Sequence, residues 1–333
     1  MDLFNNTETL NQVPKLSQVL FERKEVSFKS LAPLPSNVEA IDAALMFSAG
    51  LEPFVALVGP SGWGKTHLLN AVAQRLAVNL DTVHEPMSVC DFVANPGKAD
   101  ASGPLLLDDV QEVLGTSRMK MSVRMSLERR FRGGKPTLLA FTSPKPSRAL
   151  RAFLPSSREW TIVCMGAAEP AERIALLRHM STVEGMELSP KLSRVIAAQV
   201  HGDGRTLAGA LKRLRLAGTT WLDSSATLRA FGLLEPFFAD SGSWDLKYKI
   251  LKSAEAPSFQ SSRFSPLDLA LYTMLHEAGL SEVDVARITN VEPAEAYLRS
   301  AKFKAKLGDS ESTRTTVRLF VDSVVESLAR DSV

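Results

Sequence analysis

The sequence predicts an α/β fold built on a parallel sheet, followed by a long helical remainder. Three observations predict it. Four short apolar runs, 54–59, 103–110, 137–143 and 160–165, are bounded by Gly, Pro or Ser and read as buried strands. Helical patterns at 65–78, 118–132, 169–182 and 190–200 alternate with or follow them, the rhythm of strands joined by helical crossovers. Beyond about Pro170 strand signals stop and helical patterns run to the end.

The elements divide the chain. Residues 1–26 are polar and patternless and are expected to form a flexible arm. Residues 27–167 carry all four strands and form the α/β core; 168–240 are helical. Breaks at 239–245 and 256–266 frame a linker or connecting helix over 241–263, ahead of a helical unit at 264–333. In that last unit a helix, a turn at Gly279 and a second helix opened by Ser281 and closed near Asn290 give a helix-turn-helix layout. Ser281 and Asp284 suit the N-cap and N3 positions of a capping box.

With 333 residues, 45% hydrophobic and 23% charged, the chain has the composition of a globular protein of two or three domains. Lys plus Arg number 39 against 37 acids, a net charge of +2 that excludes a protein basic all over. No stretch of ~18 apolar residues and no leader pattern occurs, so a cytoplasmic protein without membrane contact is expected. Cys90 and Cys164 lack metal-ligand spacing and are expected to be buried thiols in a reducing compartment.

The most specific motif is Gly59-Pro60-Ser61-Gly62-Trp63-Gly64-Lys65-Thr66, which fills G-x-x-x-x-G-K-[ST] between an apolar strand and a helix starting KTHLLNAV. Glycines let backbone N–H groups wrap a phosphate at a helix N-terminus, where the dipole favours negative charge. Lys65 has the reach for β and γ phosphates, the Thr66 hydroxyl suits Mg²⁺, and His67 adjoins them. The second motif is Leu105-Leu106-Leu107-Asp108-Asp109, a buried strand ending in two carboxylates, costly unless the strand end uses them. Asp108 suits Mg²⁺, held with Thr66; Asp109 suits polarising an attacking water.

These residues resemble the AAA+ P-loop ATPases of the bacterial replication-initiator group, DnaA and its shorter relative Hda. SFKSLAPLPSNVEAIDAALMF (27–47), GKTHLLNAV (64–72), LLLDDVQ (105–111), FTSPKP (141–146) and PSSREW (155–160) follow the family's order. EPAERIALLRHMSTVEGMELS (169–189) and GRTLAGALKRLRL (204–216) are similar to its helical lid. The resemblance implies ATP or ADP with Mg²⁺ between core and lid, Arg205 on the γ-phosphate in cis, and Arg158 reaching a neighbour's ATP in trans.

Three departures accompany it. Pro144 stands where the initiators usually carry an Asp after Thr-Ser, which bears on hydrolysis. The stretch from Lys65 to Asp108 is shorter than in full initiators, where an extra helical insert steers filament growth, and is closer to the Hda type. In place of the helicase-recruiting amino-terminal domain only the short arm is expected, in which Ser17-Gln18-Val19-Leu20-Phe21 loosely resembles a peptide that docks on the sliding clamp.

The C-terminal unit resembles the initiator's DNA-binding domain only in outline. Val291-Glu292-Pro293-Ala294-Glu295-Ala296 replaces its DNA signature, and residues 263–333 hold nine Lys or Arg against eleven acids. Two carboxylates there repel phosphate, which argues against reading the initiator's box. Arg299, Lys302, Lys304 and Lys306 on the next helix remain as backbone contacts. The basic surface is expected elsewhere: 118–158 has eleven Lys or Arg against one acid, Glu128. That span suits the DNA backbone or an acidic partner.

The expectation is an ATP-binding, slowly hydrolysing protein acting in DNA replication initiation or its regulation. Nucleotide state would switch its assembly with itself or another AAA+ subunit, with replicative helicase or sliding clamp as further partners. The alternatives are a nucleotide-gated adaptor that hardly hydrolyses, which Pro144 favours, and a DnaC-like helicase loader, against which residues 264–333 argue.

Overall fold

The computed structural model describes residues 26–80, 84–95, 103–218, 220–238, 246–259 and 264–330. The clamp-like peptide Ser17–Phe21 lies outside the described residues.

A five-stranded parallel sheet forms the core: β1 Phe54–Gly59, β2 Met87–Ser88, β3 Leu105–Asp108, β4 Thr137–Thr142 and β5 Thr161–Cys164, in the order β2-β3-β4-β1-β5. All six residues of β1 are buried, because helices cover both faces. Ala56 and Val58 pack with Val123 and Leu127 of α4 (Ser117–Arg132), while Val55 and Leu57 pack with α1 (Val38–Ser48) and α2 (Lys65–Leu80). Short helices α3 (Val89–Ala94) and α5 (Arg148–Phe153) complete this part. The order places the ends of β1 and β4 side by side, with Gly59 opposite Thr142, and the end of β3 one strand away. Ligands of open α/β sheets bind at such carboxyl ends.

Four expectations change. The run 103–110 is a strand only over Leu105–Asp108, since Asp109 turns the chain into a 3-10 turn at Val110–Val113. Cys90 and Cys164 are exposed rather than buried; the Cys90 Sγ donates to Glu112 Oε2 at 3.1 Å, and Cys164 ends the edge strand. Arg299 is not a free phosphate contact, because it pairs with Asp268 at 2.7 Å and with Glu295 at 3.6 Å. Arg130, counted in the basic span, is buried.

Arg130 holds the α4 end against the sheet. Its Nε donates to Thr137 Oγ1 (3.1 Å) and its Nη2 to Gly103 O (2.7 Å) and Pro136 O (2.9 Å). These carbonyls precede β3 and β4, so one guanidinium seals the strand starts. Arg130→Ala is expected to destabilise the protein by about 3 kcal/mol, because buried acceptors lose their donor. Chemical denaturation measures it.

The remainder is helical: α6 Pro170–Val183, α7 Pro190–Gln199, α8 Gly204–Leu216, α9 Ser224–Leu234, α10 Leu246–Ala254, α11 Pro266–Tyr272, α12 Glu282–Thr289, α13 Pro293–Asp309 and α14 Glu311–Arg330. Ser189, Asp203, Asp223, Ser265 and Ser281 accept first-turn N–H groups through their side chains, which starts five of these helices in sequence-readable places. One hydrophobic core runs from Leu177 through Phe231, Ile250 and Leu269 to Leu328. The C-terminal helices are therefore packed onto α7 and α9, with Lys191 of α7 also paired to Glu326 of α14 at 2.9 Å. Among the described residues no helix is long and apolar enough to cross a membrane.

Candidate nucleotide site

A cavity of about 350 Å³ opens between the carboxyl ends of the strands and helices α6 and α8. That volume is in the range of small-molecule sites. The 59–66 loop forms one wall. Gly62 and Gly64 have φ of +76° and +98°, values that favour glycine and let the backbone curl. The first turn of α2 carries no acidic residue, so its positive end is left for an anion.

Lys65 is buried, with Nζ donating to Gly59 O (2.9 Å) and Pro60 O (2.7 Å). Burial pushes its ammonium below the usual range; Asp108 and Asp109 pull it back up, and Arg205 adds to the lowering. Thr66 Oγ1 donates to Asp108 Oδ2 at 2.6 Å, joining the two metal-ligand candidates. Among the described residues no cluster of three or more His, Cys, Asp or Glu could hold a metal alone. A hydroxyl beside one carboxylate instead fits Mg²⁺, which takes few protein ligands and completes its shell with phosphates and waters.

Asp109 is left-handed, at φ 52° and ψ 38°, rare for a residue other than glycine and a cost of about 1–3 kcal/mol. Asp109 lines the cavity at this bend. Its N–H donates to Asp108 Oδ1 at 2.9 Å.

The helical unit closes the other side. Asp203 caps α8 by accepting from the Arg205 and Thr206 N–H groups, and so sets where Arg205 starts. The Arg205 Nη1 donates to Ser61 Oγ at 3.2 Å, tying α8 to the loop. Contact there is tight: a Cβ on Gly62 would fall 1.6 Å from Asp203 Oδ2. Arg173 of α6 donates to Ala197 O (2.8 Å), Gly202 O (3.2 Å) and Val200 O, which anchors the chain leading into Asp203.

Residues 30–37 form the apolar end of the cavity with Leu176, Met180 and Trp63. His67 sits beneath them, its Nε2 2.7 Å from Ser30 Oγ; burial, then nearby His179, lowers its pKa. Glu172 ties this rim to α6 by accepting the Ser36 N–H (Oε1, 2.8 Å) and the Glu169 N–H (Oε2, 2.8 Å). Burial acts to raise the Glu172 pKa, but these hydrogen bonds win and hold it below the usual carboxylate value. A depressed folded pKa stabilises above the unfolded value and is lost as pH falls through the folded one. Glu172→Gln is therefore expected to lower Tm at neutral pH, with the gap to wild type closing below about pH 4. Thermal melts across pH test it.

The structure thus brings Gly62, Trp63, Gly64, Lys65, Thr66, His67, Asp109 and Arg205 to one cavity, with Gly59, Pro60, Ser61 and Asp108 directly behind them. Arg158 is not there: it is exposed on a 3-10 turn at Ser157–Glu159, entered through a left-handed Ser156. Sequence reasoning missed Gln111, Thr142, Asp203, Glu172 and the 30–37 rim. Asp203, an Asp before a helical pattern, carried a local capping signal, and the others lie within the family-like segments 27–47, 105–111, 141–146 and 169–189.

No family model matches the chain. An uncharacterized protein of Haemophilus influenzae is 26% identical over 187 residues, 54% of this chain and 80% of that protein. The chromosomal replication initiator protein DnaA of Laribacter hongkongensis is 27% identical over 209 residues, 56% of this chain but only 43% of the initiator. In structure, AMPPCP-bound DnaA from Aquifex aeolicus superposes with a TM-score of 0.52 at 16% identity, over 92% of this chain and 99% of that one. A replication initiator DnaA bound to AMPPCP and single-stranded DNA gives 0.52 at 15% identity, with the same coverage of both chains. At those identities the likeness is one of fold. By fold the chain is DnaA-like, with an AAA+ type of α/β core, and its sequence is similar to DnaA proteins over about half its length.

Proposed function

We propose that this chain binds ATP and ADP with Mg²⁺, hydrolyses ATP slowly, and uses the nucleotide state to switch assembly in DNA replication initiation or its regulation. One observation carries the reading. The same cavity is bounded by a P-loop with a buried lysine, by Thr66 with its partner Asp108 behind it, and by a lid arginine joined to the loop through Ser61.

In this reading the loop N–H groups, the α2 end and Lys65 bind the phosphates. Thr66 and Asp108 hold Mg²⁺, which neutralises phosphate charge when bound. Asp109 orients the attacking water and takes its proton, while Arg205 contacts the γ-phosphate from the lid. The apolar rim of Leu31, Leu34, Leu176 and Met180 suits the base. Arg158, exposed and away from its own cavity, is suited to a neighbouring subunit's nucleotide. The partner is another copy or a related AAA+ subunit.

DNA backbone is the second partner we propose. With Arg130 buried and Arg132 paired to Glu128 at 3.0 Å, the basic surface reduces to exposed cations such as Arg118, Arg124, Lys145, Arg148 and Arg151. A solved structure of the same fold holds single-stranded DNA. Cytoplasmic location, helicase and clamp remain parts of this proposal.

Sedimentation velocity with ATP–Mg²⁺, with ADP–Mg²⁺ and without nucleotide tests the reading. Larger species with ATP alone are expected, and identical profiles in all three overturn the switch. One observation favours the adaptor reading: beyond β4 the Ser143 hydroxyl donates to Lys145 O at 2.8 Å, and Pro144 offers no polar side chain. Stable ATP binding without single-turnover hydrolysis would decide for it.

A further inference from the structure

We infer that Gln111 is a positioning residue for the hydrolysis proposed above, and the inference rests on that reading. Gln111 joins Asp109 to the end of β4. Its Nε2 donates to Asp109 Oδ1 at 2.9 Å, and its Oε1 accepts the Thr142 N–H at 2.8 Å.

The backbone leaves this place for a side chain. β3 and β4 pair only up to Leu107 opposite Leu139, because Asp109 turns away. On its other side β4 stays paired with β1 up to Thr142 opposite Gly59. The Thr142 N–H on the vacated side would lack a partner, and the Gln111 carboxamide supplies one. The orientation of that amide is forced: an N–H can only donate, so the oxygen faces Thr142 and the NH₂ faces Asp109.

Asp109 needs the restraint. It stands at the N-cap of the 3-10 turn yet makes no side-chain cap bond, so the local turn does not hold its carboxylate. Gln111 engages Oδ1 and leaves Oδ2 for water. Its neighbours are fixed independently, since Asp108 is tied to Thr66 and to the Asp109 N–H. Asp109 is thereby referenced to the tip of β4, where Thr142 lines the same cavity. A misplaced reacting group costs up to about 100-fold in rate without any loss of binding. Gln111 thus sets rate and leaves affinity alone.

The test uses the full chain with Gln111→Ala, Gln111→Glu, Asp109→Asn and the double variant Asp109→Asn/Gln111→Ala. Gln111→Ala is expected to slow single-turnover ATP hydrolysis about 10-fold or more while ATP affinity changes less than about twofold. Gln111→Glu keeps the acceptor for Thr142 but not the donor to Asp109, so it also slows hydrolysis. In the Asp109→Asn background, Gln111→Ala is expected to add no further loss. In nucleotide-free protein, hydrogen exchange of the Thr142 amide accelerates in Gln111→Ala and not in Gln111→Glu. A wild-type rate in Gln111→Ala, or a parallel loss of affinity, overturns this inference alone. Absence of hydrolysis by the wild-type chain overturns the ATPase reading, and this inference with it.

Discussion

Asp109→Asn is expected to lower single-turnover ATP hydrolysis about 100- to 10,000-fold, the range for removing a general base. The physical reason is local. Asp109 lines the cavity from a left-handed turn, while Asp108 is occupied with Thr66. Asparagine tolerates the same backbone and keeps nearly the same volume, so the turn into Val110–Val113 survives. What it loses is the charge that accepts a proton. ATP affinity is expected to change little, because no phosphate-binding group is touched. Rapid-quench hydrolysis beside a nucleotide titration separates the two effects. A rate within about threefold of wild type would remove Asp109 from the mechanism.

Lys65→Ala is expected to weaken ATP binding about 100-fold. Lys65 is 5% exposed, and two of the three donors of its ammonium are spent on Gly59 and Pro60 carbonyls of its own loop. It is therefore held over the loop with one donor to spare. Hydrogen bonds to charged groups contribute about 1.5–3 kcal/mol each, which gives the magnitude. Alanine suits the start of a helix and leaves no buried charge unpaired, while the Gly59 and Pro60 carbonyls lose their donor, so a stability loss of about 1–3 kcal/mol is expected and a melt beside the titration accounts for it. Unchanged affinity for ATP, measured with a fluorescent analogue and by calorimetry, would contradict the assignment of this loop.

Contiguous signals were legible and dispersed ones were not. β1 and β4 could be read almost to the residue, because both faces of the sheet are covered and their inner positions are apolar. β2 is two residues long and left no pattern. The strand expected over 103–110 ended early because a single left-handed residue, Asp109, outweighed the apolar Val110 beyond it. Counting charge by span placed Arg130 on the surface; its burial follows from three acceptors that a linear count cannot bring together. The cysteines were misread for a similar reason: one sits on a short surface helix and the other on a sheet edge.

By itself the sequence determined the local geometry within reach of one segment. The glycine loop with Lys65 and Thr66, the Asp108–Asp109 pair and the Ser281 cap are short-range, since spacing along the backbone sets their geometry. Only the tertiary structure decided what lies across the gaps. The Gln111 bridge to Thr142, the Asp203 contact on Gly62, the Glu172 tie to Ser36 and the packing of α14 on α7 and α9 join residues far apart in the chain or around a bend. Such contacts depend on sheet order and helix packing, which minimise exposed apolar surface over the whole molecule and leave no trace in any one stretch of sequence.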